Sequence, residues 1–378
     1  MSFVLDEEQQ LIQQSARDFA IKYLQPEADR IDREHIFPRE LIQRLAENDF
    51  MGFYLPGEYG GAEAGYLSYV VAVEEIAKVS AGVAAILVNH ASLAAYALNR
   101  WGTTEQKRHY LTAMCKGEQL GAMALTEPGA APGVGPNRVV AVKAGDHYIL
   151  NGRKAYVANG GAADVYIVFA VDPQKGPGGM SAFIVDADTA GLSVMRSIGK
   201  LGLRACPWAE LAFAEVTIPA GHLLGAEGTG MAMVDEIKSV ANVAEGALVI
   251  GVAQAAMEDA AQYSKQRVQF GQAIANFPAI RNMLAEMATN IHLARLAVCD
   301  AAAAIDRGEQ VTAEAAMIKL FVNRVSQMSM SDAIQIEGGY GYIEDMAVSR
   351  YFRDVKGVLL SDSSADFPEQ IIARELLS

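Results

Sequence analysis

The chain has 378 residues, 51% apolar and 20% charged, an ordinary globular composition that excludes wholesale disorder. Its 31 Lys and Arg stand against 45 Asp and Glu, and the resulting charge of −14 argues against nucleic acid or an anionic membrane as partner. Cys115, Cys206 and Cys299 are odd in number and far apart, which fits a reducing compartment and excludes a disulfide framework or a metal cluster.

Met1 to Leu5 runs at once into Asp6-Glu7-Glu8, without the pattern of a secretory signal. Leu11, Ile12, Ala16, Phe19 and Ala20 then recur at helical spacing behind Asp6, with acidic residues in the first turn where the helix dipole favours them. Pro38 opens a second helix carrying Leu41, Ile42 and Leu45. After Pro56-Gly57-Glu58-Tyr59-Gly60-Gly61, two more apolar helices reach about Trp101. The stretch from Ala81 to Leu98 contains Asn89, His90 and Ser92, so it is expected to be a buried core helix, with His90 a hydrogen-bonded core residue, and not a membrane span. A cytoplasmic protein without membrane insertion is expected.

Near Gly121 the period shortens to two. Val139, Val140 and Val142 precede Gly145-Asp146, and Tyr148, Ile149 and Leu150 precede Asn151-Gly152; both dipeptides are hairpin signals. Further strands are predicted over residues 165–170, 181–185 and 209–218, forming an antiparallel sheet. The helical period returns near Met231, with helices expected over 234–265, 278–307, 312–337 and 366–377. The expected fold is α+β: an N-terminal helical domain (1–120), a middle antiparallel β domain (121–230) and a C-terminal four-helix bundle (231–378). A ligand would sit where sheet and bundle meet.

Common catalytic signatures are missing: the chain has no Walker loop, no His-Glu-x-x-His and no Gly-x-Ser-x-Gly. Longer segments carry more. Ala124-Leu125-Thr126-Glu127-Pro128-Gly129-Ala130, at the helix-to-sheet boundary, resembles the central signature of the acyl-CoA dehydrogenase family. The resemblance extends through Glu58-Tyr59-Gly60-Gly61, Gly102-Thr103-Thr104-Glu105-Gln106-Lys107, Arg267-Val268-Gln269-Phe270-Gly271, Gly338-Gly339-Tyr340-Gly341-Tyr342 and Arg353-Asp354 to Ile372-Ala373-Arg374.

That resemblance implies an FAD-containing homotetramer that acts on acyl-CoA thioesters and passes electrons to an electron-transfer flavoprotein. It implies that Leu125, Thr126, Tyr156, Ala158 and Ser364 lie along the flavin. It also implies that Arg267 and Phe270 reach the FAD of a neighbouring subunit, and that Gln335 and Gly339 hold its adenosine end. The implied reaction takes an α proton to a carboxylate while the β hydrogen leaves as hydride to flavin N5.

The match departs from the family at the active centre. The usual Glu-Gly-Thr becomes Asp362-Ser363-Ser364, so Asp362 is the expected base, one methylene shorter than the usual Glu. Trp-Ile-Thr becomes Tyr156-Val157-Ala158, Gly-Ser-Asp becomes Ala131-Pro132-Gly133, and a common Gln becomes Pro278. An Arg near the base becomes Asn242, the position of an alternative base is Ala241, and Glu245 is the nearest carboxylate on that helix. The expectation is a dehydrogenase with a pocket rebuilt for an unusual acyl chain. Two alternatives stay open: a non-catalytic acyl-CoA- or flavin-binding subunit, and an enoyl-CoA reductase running in reverse.

Overall fold

The computed structural model describes residues 5–129, 138–360 and 368–377. The N-terminal helices are α1 (Glu7–Phe19), α2 (Ala28–Glu34), α3 (Arg39–Glu47), α4 (Tyr66–Val79), α5 (Ala81–Val88), α6 (Tyr96–Trp101), α7 (Thr104–Gln106) and α8 (Thr112–Cys115). Asp6 caps α1 reciprocally with Gln9. Pro38 is the N-cap of α3 and not its first helical residue, and α2 intervenes where no helix was expected.

Helix α5 continues through a π-type stretch into α6, and 83% of its most apolar window is buried inside the protein. His90 is fully buried there, its Nδ1 accepting from the Gly121 amide at 3.0 Å. Burial pushes its pKa down to about 4, so it is a neutral core residue.

The middle of the chain forms one eight-stranded sheet in the order β6-β7-β3-β2-β4-β5-β8, with β1 also on β4. The strands are β1 (Gly121–Ala124), β2 (Val140–Ala144), β3 (His147–Ala158), β4 (Val165–Val171), β5 (Met180–Asp186), β6 (Leu192–Ser197), β7 (Trp208–Pro219) and β8 (Leu223–Leu224). It is antiparallel except for β1 and β2 against β4, so the expected all-antiparallel sheet is a mixed one. Gly145-Asp146 does turn the β2–β3 hairpin. Asn151-Gly152 does not turn: it lies inside β3, where the register against β7 slips between Leu150 and Gly152. A Cβ on Gly152 would stand 2.8 Å from Val139 Cα, so the residue marks a bulge pressed against a neighbouring chain segment.

The pleat of β4 divides two apolar clusters. Val165, Ile167, Phe169 and Val171 face the helical layer with Leu98, Leu111, Met233 and Ile237. Tyr166, Val168 and Ala170 face the opposite side with Leu150, Leu211 and Phe213.

The C-terminal part comprises α9 (Gly230–Gln266), a small hairpin of β9 (Val268–Gln269) and β10 (Gln272–Ala273), then α10 (Pro278–Asp306), α11 (Thr312–Glu337), α12 (Ala347–Leu360) and α13 (Pro368–Leu377). The sequence reading missed α12, whose Val348, Val355 and Val358 complete the bundle core. Helix α4 packs into the same core, and the Asp306 carboxylate at the end of α10 caps the α4 amides of Tyr66 and Leu67. Arg295 of α10 pairs with the buried Glu74 of α4 at 2.6 Å. Both helical parts therefore share one interior, and the sheet is seated against it.

Candidate active site

After Ala124 the chain leaves β1, yet its backbone stays paired. Ala155 N donates to Thr126 O at 2.8 Å, and Lys154 Nζ donates to Leu125 O at 2.7 Å and to Glu127 Oε1 at 2.8 Å. The same Glu127 oxygen accepts from Val139 N at 2.7 Å. Lys154 and Glu127 are fully buried. Burial, partly offset by Glu127, lowers the Lys154 pKa to about 8. Leu125 is buried and Thr126 half-buried on this held segment, which ends in a β-bridge at Glu127.

Directly after Lys154 the strand bulges: the register against β7 shifts between Lys154 and Val157. Tyr156 takes φ 55° and turns outward, 56% exposed, with its ring 6.4 Å from that of Trp208. Ala158 pairs with Trp208 in the ladder, and both pack on the helical core. Asn159 fixes the strand end. Its side chain donates to Ile86 O at 3.1 Å and accepts from Cys206 Sγ at 3.3 Å. Leu125, Thr126, Tyr156 and Ala158 thus gather where the sheet meets the helices. The sequence had indicated these four but not Trp208, Lys154 or the pairing partner Glu127.

A second group lies on the surface. Arg267 ends α9 as an exposed residue whose guanidinium has no hydrogen bond or ion pair among the described residues. Phe270 and Gly271 form the two-residue turn of the β9–β10 hairpin, with φ 51° and 77°, both positive as a type I′ turn requires. Phe270 is 93% exposed. Gln335 and Gly339, at the end of α11, are exposed as well. Tyr263 of α9 and Tyr340 lie 6.3 Å apart between ring centroids, so the ends of α9 and α11 adjoin. Pro278 is the first residue of α10, where a missing N–H is harmless.

Asp362 and Ser364 lie outside the described residues, as do Ala131, Pro132 and Gly133. The chain enters that segment from α12, whose Val358 carbonyl accepts from Lys319 Nζ at 3.3 Å. Lys319, buried on α11, also holds Glu245 of α9 at 2.7 Å. Glu245 therefore approaches the end of α12, but as an ion-pair member. Ala241 is buried and Asn242 half-buried one turn earlier. On the same helix, Glu236 accepts from Tyr96 Oη at 3.0 Å and Arg100 Nε at 2.7 Å.

The arrangement fits FAD in two places. An exposed guanidinium, unpaired among the described residues, and an exposed phenyl ring three residues on offer charge and stacking to a dinucleotide, and a fixed segment followed by two aromatic rings on the adjoining strands offers a platform for a planar ring system. The described residues hold no metal-binding group of three or more His, Cys, Asp or Glu.

Family models for the acyl-CoA dehydrogenase N-terminal, middle and C-terminal domains match residues 6–118, 122–216 and 228–377. The chain belongs to the acyl-CoA dehydrogenase family, and it is an FAD-dependent oxidoreductase acting on CH–CH bonds. It is 39% identical over 373 residues to 3-(aryl)acrylate reductase of Clostridium sporogenes, covering 98% of this chain and 99% of that one. It is 36% identical over 373 residues to subunit CarC of the caffeyl-CoA reductase-Etf complex of Acetobacterium woodii, covering 98% of each. Butyryl-CoA dehydrogenase of Megasphaera elsdenii has the same fold, with a TM-score of 0.96, 37% identity and full coverage of both chains.

Proposed function

We propose that the chain moves hydrogen across the α,β bond of an acyl-CoA thioester, with Asp362 as the proton acceptor in desaturation and the proton donor in reduction. FAD, when bound, supplies the hydride acceptor or donor. Leu125 and Thr126 orient the ring along the segment held by β3, with Tyr156 and Trp208 beside it. Arg267 and Phe270 reach a cofactor in a neighbouring copy of the chain, and Gln335 and Gly339 hold its adenosine end. The observation that carries the reading is the Leu125–Glu127 segment, immobilised against β3 near Tyr156 and Trp208 at the sheet–bundle junction.

Further assignments complete the proposal. An electron-transfer flavoprotein is the electron partner, supported by the likeness to the CarC subunit of an Etf complex. A homotetramer is supported by the exposed Phe270, Tyr340 and Tyr342, apolar area of the kind subunit contacts cover. A cytoplasmic location is supported by three cysteines that are all free and buried. The pocket takes an unusual branched, cyclic or aryl-bearing acyl group, supported by Asp362 in place of Glu and by the resemblance to an arylacrylate reductase. That relative and CarC also favour a second reading, in which the physiological direction is reduction of the enoyl thioester.

The test is an anaerobic titration of the flavin-loaded protein with linear, branched, cyclic and aryl-bearing acyl-CoA thioesters. Bleaching of the visible band by at least one of them is expected. In the reverse direction, dithionite-reduced protein should be reoxidised by the matching enoyl thioester. Failure of both would refute the proposal.

A further inference from the structure

We propose that Lys154, together with Glu127, is a positioning pair for the flavin, clamping the Leu125–Glu127 segment onto β3 and so fixing the backbone that would face the ring. The inference rests on the flavin placement above and adds residues that family resemblance did not assign.

Three observations converge on this ammonium group. It lies within hydrogen-bond distance of both ends of the segment, Leu125 O at 2.7 Å and Glu127 Oε1 at 2.8 Å, while the next backbone amide, Ala155 N, takes Thr126 O at 2.8 Å. Glu127 extends the clamp to Val139 N at 2.7 Å, joining chain segments twelve residues apart. The bulge that aims Tyr156 outward begins at Lys154 itself. Residues 154 to 156 therefore hold one wall of the junction and present another.

Stability alone is a poor reason for such a pair. Two charges buried at 0% and 1% exposure give up their hydration, and an apolar pair of similar volume in such a place is often as stable or more so. What apolar side chains cannot do is bind two carbonyl-type oxygens and one amide in a fixed geometry. Unclamped, the Leu125 carbonyl would lose its partner inside the protein, and the segment would have to move to find another.

The experiment compares wild-type protein with Lys154→Met, Glu127→Gln and the double variant Lys154→Met/Glu127→Leu. Urea unfolding of the apoprotein is measured alongside its Kd for FAD and the visible spectrum of the reconstituted protein. Lys154→Met is expected to weaken FAD binding about tenfold or more, the equivalent of losing one hydrogen bond, and Glu127→Gln, which keeps the acceptor oxygen but not the charge, to weaken it by less. The apolar double variant is expected to recover the wild-type urea midpoint while keeping the weakened Kd and an altered flavin band. Recovery of stability together with a wild-type Kd and spectrum would overturn the positioning role. So would a wild-type Kd in Lys154→Met. Wild-type protein that takes up no FAD would instead refute the flavin reading itself.

Discussion

Glu337 is the last residue of the 26-residue helix α11, 3% exposed, with Oε2 lacking a hydrogen-bond partner among the described residues. Every feature of that position disfavours a carboxylate. Burial removes its hydration, Asp259 adds a like charge, and the negative end of the helix dipole lies alongside. Its pKa rises from 4.5 to about 7. A raised acid pKa means that the folded state holds the proton over a window where the unfolded chain has released it. The contribution of Glu337 to stability is therefore greatest at acid pH and is lost as pH rises from about 4.5 to about 7. At 1.36 kcal/mol per unit, the shift corresponds to at most roughly 3 kcal/mol of lost stability at pH 8.

Glu337→Gln removes the titration and keeps the shape. The variant is expected to be more stable than wild type by about 2–3 kcal/mol at pH 8, with the difference closing toward pH 4.5. Urea unfolding at half-unit pH steps measures it. Because Glu337 sits between Gln335 and Gly338-Gly339, the FAD Kd belongs in the same series. An unchanged difference between variant and wild type across pH 4.5 to 8 would refute the reasoning, and so would a variant less stable at pH 8.

Asp362→Asn removes the proposed proton acceptor alone, so flavin reduction by substrate should slow about 10²–10⁴-fold with thioester binding retained, as rapid-mixing absorbance would record. Glu245→Gln is expected to leave that rate nearly unchanged, since Glu245 is held by Lys319; the reverse pattern would move the base to Glu245. On the proposed assignment of Arg267 to a cofactor in another copy, Arg267→Ala should raise the FAD Kd about 10- to 100-fold and shift the oligomer distribution in sedimentation. Gly251→Ala places a Cβ on α9 at 2.3 Å from Glu74 O and 2.9 Å from Ala77 Cβ of α4. It is expected to lower stability by about 2–3 kcal/mol in urea unfolding, since two packed helices must separate.

The helix–sheet–helix order was legible because hydrophobic patterning is a local property: a 3.6-residue period through α1 and α3, a short continuous apolar run in β4, and long Ala-rich stretches with few breakers through α9 to α11. Capping by Asp6 and the Gly145-Asp146 turn were likewise local chemistry. Where the linear reading failed, a distant partner decided. Asn151-Gly152 has turn composition, yet the packing of Val139 and the ladder with β7 hold it in a strand as a bulge. α12 was overlooked although its apolar residues recur at helical spacing, and it is completed by contacts with α9 and α11 that neighbouring residues do not announce.

For the site, the ordered motifs around Leu125, Arg267 and Gly339 identified the family, because recognition of a cofactor confines residue types at particular places in the chain. No motif placed Lys154 beneath the Leu125 carbonyl, Trp208 beside Tyr156, or Lys319 against Glu245. Those are meetings of residues 29, 52 and 74 positions apart. Side-chain composition and period are written along the chain, whereas which buried charge finds which partner is settled only when strands and helices from separate segments close around it.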